Sequence, residues 1–344
     1  MTLPIRPPLL PMLALLVGEI PVGDGWQYEP KWDGFRCLAF RDGEDVFLQS
    51  RSGQPFVRYF PEVAAAVRSV GARRFVLDGE LVVPAGEELS FDDLLQRIHP
   101  AESRVRMLAK EFPALYLVFD LLVDERGRSL LAHPLSERRS RLEKFASRHL
   151  GGVAGIRLSP ATGDARAARR WLRSAGGALD GVVAKRTDAE YRPDDRSGMQ
   201  KVKLLRTADC VVGGFRYASK GKVVGSLLLG LYDAGGKLDH VGFCSSLSAA
   251  ERRELTPRLE KHVRPPGFTG RAPGGPSRWS TERTGEWKPL AGDLVVEVQF
   301  DHFSQGRFRH GTRFLRWRPD KAPRECTMRQ VDRESRVSLK GLLD

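Results

Sequence analysis

The nine residues from Tyr28 to Arg36, YEPKWDGFR, set a lysine between a proline and a tryptophan. An aspartate and a glycine follow at once, and an arginine stands five positions after the lysine. A turn at Asp33-Gly34 with solvated charges around it would account for the stretch, because Asp-Gly is ordinary turn chemistry. A site that needs an ammonium, a carboxylate, a bare backbone and a guanidinium close together would account for it equally well. The rest of the chain decides between these two.

A chain of 344 residues is long for one core and predicts two domains. Its 41% hydrophobic content is enough for packed structure. The formal net charge of +13 favours a polyanionic partner, nucleic acid ahead of an anionic membrane surface. That charge is uneven. Residues 1–204 carry 31 Lys and Arg against 27 Asp and Glu, whereas residues 205–344 carry 25 against 16. The C-terminal part is therefore the better candidate for gripping a phosphate backbone. Cys37, Cys210, Cys244 and Cys326 form no C-x-x-C pair, and no histidine has a partner at metal-ligand spacing. This argues against a zinc site or a disulfide framework and fits a reducing compartment. The apolar run Leu9–Val17 is interrupted by Pro11 and falls short of the roughly 18 residues that span a bilayer. It has neither a basic leader nor a small-residue cleavage site. The expectation is a soluble, cytoplasmic protein without a membrane partner.

Up to residue 204, short β-rich runs alternate with helical ones. FRCLAFRDGEDVFLQSR (35–51) reads as two strands joined at Asp42-Gly43. FVLDGELVVP (75–84) reads as a strand, a turn at Asp78-Gly79 and a second strand. ALYLVFDLLV (114–123) and DGVVAKR (180–186) are further strands. Helices are expected over 61–71, 90–99, 134–150 and about 164–175, the second opened by Ser90 with Asp93. After Arg206 the texture changes to five short strands and one helix near 248–263, which predicts a small barrel of the OB type. A loop rich in Gly, Pro and Ser is expected over 264–286. The predicted boundary lies near 204–206, giving domains 1–204 and 205–344.

Polar clusters interrupt these apolar strands, a costly arrangement unless the charges are paired or used. They are Glu29, Lys31, Asp33 and Arg36; Arg51 and Ser52 in QSRSG; Asp78 and Glu80 in LDGE; Phe119 and Asp120 in VFD; Asp180 and Lys185 in LDGVVAKR; Arg196, Lys201 and Lys203 in YRPDDRSGMQKVK; and Arg316, Arg318, Asp320 and Lys321 in RWRPDK. Singly, each reads as turn chemistry or a solvated face. Their order is more specific. K-x-D-G-x-R, S-R-x-G, D-G-E, F-D, D-G-V-V-x-K, K-x-K and R-x-D-K together resemble the covalent nucleotidyltransferase superfamily of ATP-dependent DNA ligases, RNA ligases and capping enzymes. The resemblance spans about residues 28–321. FDDLLQRIHP and WKPLAGDLVVEVQF are similar to ligase segments, and the chain is most like the small stand-alone bacterial ligases of the LigC type.

The resemblance implies an α+β nucleotidyltransferase (adenylation) domain of mixed and antiparallel sheets with helices, followed by the OB-fold domain. It implies that Lys31 attacks the α-phosphate of ATP. An attacking lysine must be neutral, against an ordinary pKa near 10.4, so cationic neighbours such as Lys201 and Lys203 and a divalent cation fit the chemistry. By the same resemblance, Glu29 reads the adenine edge and Phe119 stacks on the ring. Arg36 and Arg51 contact sugar and phosphate, Arg51 also the 5′-phosphate at the nick, Arg196 belongs to the nucleotide-binding set, and Glu80 and Asp180 hold Mg²⁺ or Mn²⁺. Asp33 orients groups at the nick terminus. Arg316, Asp320 and Lys321 orient the pyrophosphate leaving group once the second domain closes over the nucleotide. The implied substrate is nicked double-stranded DNA, sealed by a monomer in DNA repair, in a bacterial cytoplasm at the nucleoid. With no clamping, polymerase or nuclease segment recognised, a compact repair enzyme is expected, its grip falling with salt.

The sequence departs from the family pattern twice. The fourth motif opens with Asp180 where glutamate is usual, and the Arg196–Lys201 segment is about a residue short and lacks the usual tryptophan. Two alternatives stay open at this level. One is an RNA ligase or a capping-type enzyme; the other is an inactive, basic nucleic-acid-binding OB protein.

Overall fold

The structure, a computed structural model, describes residues 2–175, 179–219, 221–274, 286–332 and 338–343. Two compact units divide the chain: Met1–Leu204 with Glu334–Asp344, and Leu205–Arg333.

The first unit begins with strands β1 (Leu15–Leu16), β2 (Trp26–Trp32), β3 (Phe35–Asp42) and β4 (Asp45–Ser50), then helix α1 (Pro61–Ser69) and strand β5 (Arg74–Val82). Helices α2 (Phe91–Gln96) and α3 (Glu102–Glu111) lead to β6 (Leu115–Val123), α4 (Leu135–His149), β7 (Ile156–Leu158) and α5 (Ala165–Arg173). Strands β8 (Leu179–Arg186) and β9 (Met199–Val202) complete it. Four strands form one sheet in the order β1-β9-β8-β2, and five form another in the order β4-β3-β5-β6-β7.

The five-stranded sheet is held from one side by a large core. Cys37, Ala39, Leu77, Tyr116 and Val118 pack there with Val63 and Val67 of α1 and Leu142 and Phe145 of α4. Full burial of each large apolar side chain is worth about 1.5–3 kcal/mol, so this face fixes the sheet. The opposite face carries Leu38, Phe40 and Val76 in a second cluster and Val82 and Leu117 in a third. That is the face on which Arg36, Asp78, Glu80 and Phe119 alternate with the core residues.

The Asp42-Gly43 hairpin is present, with Gly43 at φ 66° between β3 and β4. The turn expected at Asp78-Gly79 is not: β5 runs unbroken through both residues, with a bulge against β6 at that point. A Cβ on Gly79 would lie 2.5 Å from the Leu117 carbonyl, so glycine serves close strand approach rather than chain reversal. The helix expected over 90–99 is shortened to Phe91–Gln96, with the Ser90 hydroxyl accepting from the Asp93 amide. Helix α3 was not anticipated. It has no side-chain cap and buries only Val105 and Leu108.

The second unit contains β10 (Arg206–Tyr217), β11 (Val224–Tyr232), β12 (Leu238–Cys244), helix α6 (Ala249–Lys261), β13 (Val295–Phe300) and β14 (Arg313–Trp317). Their order is β12-β11-β10-β13-β14, with every pairing antiparallel. A parallel bridge between Cys244 and Thr312 joins the two ends of that path, as an OB-type barrel requires. Helix α6 opens with a full Ser248–Glu251 capping box and lays Leu255 and Leu259 into the barrel core. Of the loop expected over 264–286, residues 275–285 lie outside the described residues. The last helix, α7 (Leu339–Leu343), belongs to the first unit: Leu339 and Leu342 pack with Trp32, Val82, Leu117 and Leu179, and the Leu339 amide donates to the Glu87 carbonyl. All four cysteines are free and buried. No helix among the described residues is long and apolar enough to cross a membrane.

Candidate active site

Most of Tyr28–Arg36 is strand. In β2, Trp26, Tyr28, Pro30 and Trp32 alternate with Gln27, Glu29 and Lys31, the period of two that splits a strand between two faces. Tyr28 packs with Val182, Ala184, Val202 and Ala168 of α5, and Trp32 joins Val82 and Leu179. Pro30 is tolerated because β2 is the edge strand of its sheet. The other face therefore has to carry Glu29 and Lys31. Register adds to it: Val183 of β8 stands opposite both Glu29 and Lys201, so Lys185 and Lys201 share that face.

Lys31 lies at the end of this row. Its Nζ donates to Asp180 Oδ2 at 2.5 Å, and Lys203 Nζ is 3.2 Å from the same oxygen. Burial alone would raise the Asp180 pKa, but the two lysines outweigh it and hold the carboxyl below its ordinary range. The Lys201 ammonium is disfavoured first by burial and then by Lys31, Lys203, Arg51 and Arg196, so its pKa is lowered. Asp180 reaches this cluster through a bulge at Leu179/Gly181. Gly181 has φ 145° and its missing Cβ would sit 2.0 Å from the Val202 carbonyl, so no other residue fits there without moving the strand.

The five-stranded sheet supplies a second set. Arg36 makes two 2.5 Å contacts to the fully buried Asp78 carboxylate, which also accepts from the Tyr191 hydroxyl at 2.7 Å. Burial pushes the Glu80 carboxyl up to about 7, opposed by Arg36 and Lys31 and reinforced by Asp78 and Asp33. Phe119 lies beneath two cations, with Arg36 Cζ 4.6 Å and Lys185 Nζ 4.4 Å from its ring centroid. Lys185 also pairs with Glu29 Oε2 at 2.7 Å, while Gln27 Nε2 donates to Glu29 Oε1 at 2.8 Å. Gly34 differs from its simplest reading: the space beside it is filled by β5, the Leu81 carbonyl standing 2.2 Å from where a Cβ would be. It lets β3 approach β5, not a ligand approach the chain.

The fold thus gathers Glu29, Lys31, Arg36, Glu80, Phe119, Asp180, Lys201 and Lys203 in the first unit, and Asp33 contributes to the field at Glu80. Arg51 and Arg196 are exposed and reach the group through their effect on Lys201. Arg316, Asp320 and Lys321 lie in the second unit. There Arg316 pairs with Glu297 at 2.6 Å, and Lys321 is 3.9 Å from Glu325. A hydrogen bond from Arg318 pulls the Asp320 carboxyl down to about 2. Sequence reading assigned no role to Gln27, Asp78, Lys185 or Tyr191. The available signal was polarity at the inward step of an alternating strand, which Gln27 and Lys185 both show.

The donors present fit a hard divalent cation only in part. Glu80 and Asp180 offer carboxylate oxygens, yet among the described residues no group of three or more His, Cys, Asp or Glu could hold a metal. Such a set suits Mg²⁺ or Mn²⁺ that keeps water and takes phosphate oxygens, not a cation caged by protein. The cation-flanked Phe119 ring, the buried carboxylate beside it and the lysine row suit a purine nucleotide polyphosphate.

Comparison with known proteins agrees with this chemistry. The ATP dependent DNA ligase domain model matches residues 11–203, and the ATP dependent DNA ligase C terminal region model matches residues 220–321. DNA ligase C of Mycobacterium tuberculosis is 44% identical over 362 aligned positions, covering 100% of this chain and 99% of that protein. DNA ligase C2 of Mycolicibacterium smegmatis is 46% identical, covering 96% of each. A solved Lig E DNA ligase, 18% identical, shares the fold with a TM-score of 0.55 over 89% of this chain and 98% of that one. The chain belongs to the ATP-dependent DNA ligase family, and among its members it is similar to the stand-alone ligases of the C type.

Proposed function

We propose that this ligase seals nicks in duplex DNA through a phosphoramide on Lys31, and that the residues gathered around Lys31 divide the work as follows. Lys31 Nζ attacks the α-phosphorus of ATP; the N–P bond forms as the P–O bond to pyrophosphate breaks. The adenylyl group then passes to the 5′-phosphate at the nick, with the Lys31 N–P bond breaking. Finally the 3′-hydroxyl oxygen attacks that phosphate and AMP leaves. All three steps need in-line positioning and charge neutralisation more than an acid–base pair.

The observation that carries this reading is the Lys31–Asp180–Lys203 cluster at 2.5 and 3.2 Å. Lys31 Nζ donates to Asp180 Oδ2, so attack requires that contact to break and the lysine to lose a proton. Lys201 and Lys203 favour that loss by repulsion and receive the phosphates. Glu80 and Asp180 would hold Mg²⁺ or Mn²⁺, which would supply phosphate neutralisation and disfavour the ammonium. Phe119 stacks on the base and Glu29 accepts from its edge. Arg36, braced by Asp78, stays beside the ring, while Arg51 and Arg196 serve the sugar and phosphates and Asp33 the nick terminus. Arg316, Asp320 and Lys321 act in the ATP step only. Two domains, 1–204 joined by the C-terminal helix α7 and 205–333, a repair role as a monomer and a cytoplasmic, nucleoid-associated location complete the proposal.

A nicked duplex with a labelled 5′-phosphate tests it. With ATP and Mg²⁺ the wild type should convert the nick to an intact strand, and Lys31→Ala should not. Sealing by Lys31→Ala, or label accepted from GTP alone, would overturn the reading.

A further inference from the structure

We infer that helix α7 is a positioning element of the adenylylation site: Leu339 and Leu342 clamp together the strand segments that carry Lys31, Asp180 and Glu80. The inference rests on the proposed roles of those three residues and adds two residues that touch no reacting atom.

Helix α7 is five residues long and has Gly341 in its interior, so its own propensity does not sustain it. Packing does. Leu339 and Leu342, three positions apart, fall on one face of the helix and are buried, whereas Lys340 and Gly341 are exposed. The backbone is fastened at two further points. The Leu339 amide donates to the Glu87 carbonyl at 2.8 Å, and the Gly341 amide donates to the Ser338 hydroxyl at 3.0 Å. The chain runs through the second unit before it returns to lay this helix on the first.

The residues these leucines pack with are neighbours of the reacting groups. Trp32 follows Lys31, Leu179 precedes Asp180, and the two stand opposite each other across β2 and β8. Leu117 of β6 is the cross-strand partner of Glu80, and Val82 lies two residues beyond Glu80 on β5. The first pair belongs to the four-stranded sheet and the second to the five-stranded one. One apolar cluster thus joins the two sheets beside the groups that each supplies, the Lys31–Asp180 pair from one and the Glu80 carboxyl from the other. Two details stiffen it. The Trp32 indole N–H donates to the Ser159 hydroxyl at 2.9 Å. A Cβ on Gly34 would lie 2.9 Å from Val82 Cγ1, so Val82 also bounds the Asp33-Gly34 link between β2 and β3.

In-line attack tolerates little error, and displacing a reacting group by about 1 Å costs about 10²-fold in rate. Close-packed interiors transmit a shift from one side chain to the next. Truncating the two leucines leaves a cavity where the sheets meet, and partial collapse into it moves Trp32, Leu179 and Leu117. Lys31 and Asp180 move with their chain neighbours, and Glu80 with its cross-strand partner.

The test measures formation of the lysyl adenylate on the full-length protein from α-labelled ATP, over a concentration series with Mg²⁺, at a temperature where each variant is folded. For Leu339→Ala/Leu342→Ala the rate at saturating ATP should fall about 10²-fold, with KM for ATP changed by less than about threefold. Leu339→Met/Leu342→Met, which nearly conserves volume, should keep the wild-type rate. Leu142→Ala removes a buried leucine from the other side of the five-stranded sheet; it should lower the unfolding temperature and leave the rate at saturation unchanged. If the double alanine variant does not fold, Leu342→Ala alone carries the test, with a loss of about tenfold. A wild-type rate in whichever alanine variant folds, or a loss confined to KM, would overturn the inference. So would an equal loss of rate in Leu142→Ala, which would make α7 one more part of the general core. Absence of label from ATP in the wild type would instead overturn the proposed role of Lys31, so the two failures are distinct.

Discussion

Two charge clusters in this molecule differ in how many of their members are drawn out of water. Around Lys31, the side chains of Lys31, Asp180 and Lys203 are 22%, 10% and 17% exposed, the two ammonium groups meeting on Asp180 Oδ2 from β2 and from the residue after β9. Around Arg318 the burial is divided: Arg318, Asp209 and Glu297 are 17%, 14% and 18% exposed, whereas Asp320, which pairs with Arg318, and Arg316, which pairs with Glu297, are 63% and 64% exposed. Charges drawn out of water cost several kcal/mol each unless well paired, whereas exposed pairs are worth about 0–1 kcal/mol. The first cluster is therefore a commitment of the fold. In the second, Arg318 is held by Asp209 and Glu297, and only Arg316 and Asp320 remain largely in water.

That contrast can be broken most sharply at Lys31. Lys31→Ala should lower nucleotidyl transfer from ATP by at least about 10⁴-fold, the scale of removing a covalent nucleophile, while leaving cooperative unfolding intact. Next is Asp180→Asn, which keeps the shape and removes the charge that Lys31 and Lys203 share. Self-adenylylation should drop by about 10²-fold, and Asp180→Glu should recover much of it, since the longer carboxylate is the form usual in the family. If Asp180→Asn were as active as wild type, the cluster would be only a structural pair.

Glu80 sharpens the comparison through pH. Its folded-state carboxyl lies at about 7 against an ordinary value of 4.5, so the native state keeps a proton that the unfolded chain has released. Between those values stability contributed by this group falls as pH rises, and the deficit is complete above pH 7. Glu80→Gln removes the deficit, so in urea unfolding it should gain about 1–2 kcal/mol on wild type at pH 8 and nothing at pH 4. A loss at pH 8 would mean that Arg36 and Lys31 outweigh burial. The smallest effect is expected in the second cluster: Arg316→Ala should change stability by no more than about 0.5 kcal/mol. It should slow adenylylation by ATP but spare sealing of a nick that already carries AMP.

How much of this was readable in advance follows the same division. The charge clusters were legible because a carboxylate or ammonium inside an apolar strand is conspicuous, and their order identified the family. The local structure that carries them was harder to read. A turn at Asp33-Gly34 was the competing reading of Tyr28–Arg36, and these two residues do link β2 to β3, but Trp26 to Trp32 alternates apolar and polar at every step. The other two Asp-Gly pairs, at 78–79 and 180–181, also suggested turns; both lie within strands at bulges, where glycine is demanded by a neighbouring carbonyl rather than by chain reversal. Helix α3 escaped because it is mostly polar and uncapped, and α7 because its two leucines find their partners in two sheets, about 160 to 310 residues upstream. Tertiary packing decides such elements, and no local pattern records it.

The central claim is a single covalent bond. Incubating the protein with ATP and a divalent cation, then mapping the adduct by mass spectrometry of proteolytic peptides, tests it directly. The account predicts one AMP per chain, on the peptide containing Lys31, removed by added pyrophosphate. An adduct on Lys185, Lys201 or Lys203, or no adduct on an active enzyme, would contradict it.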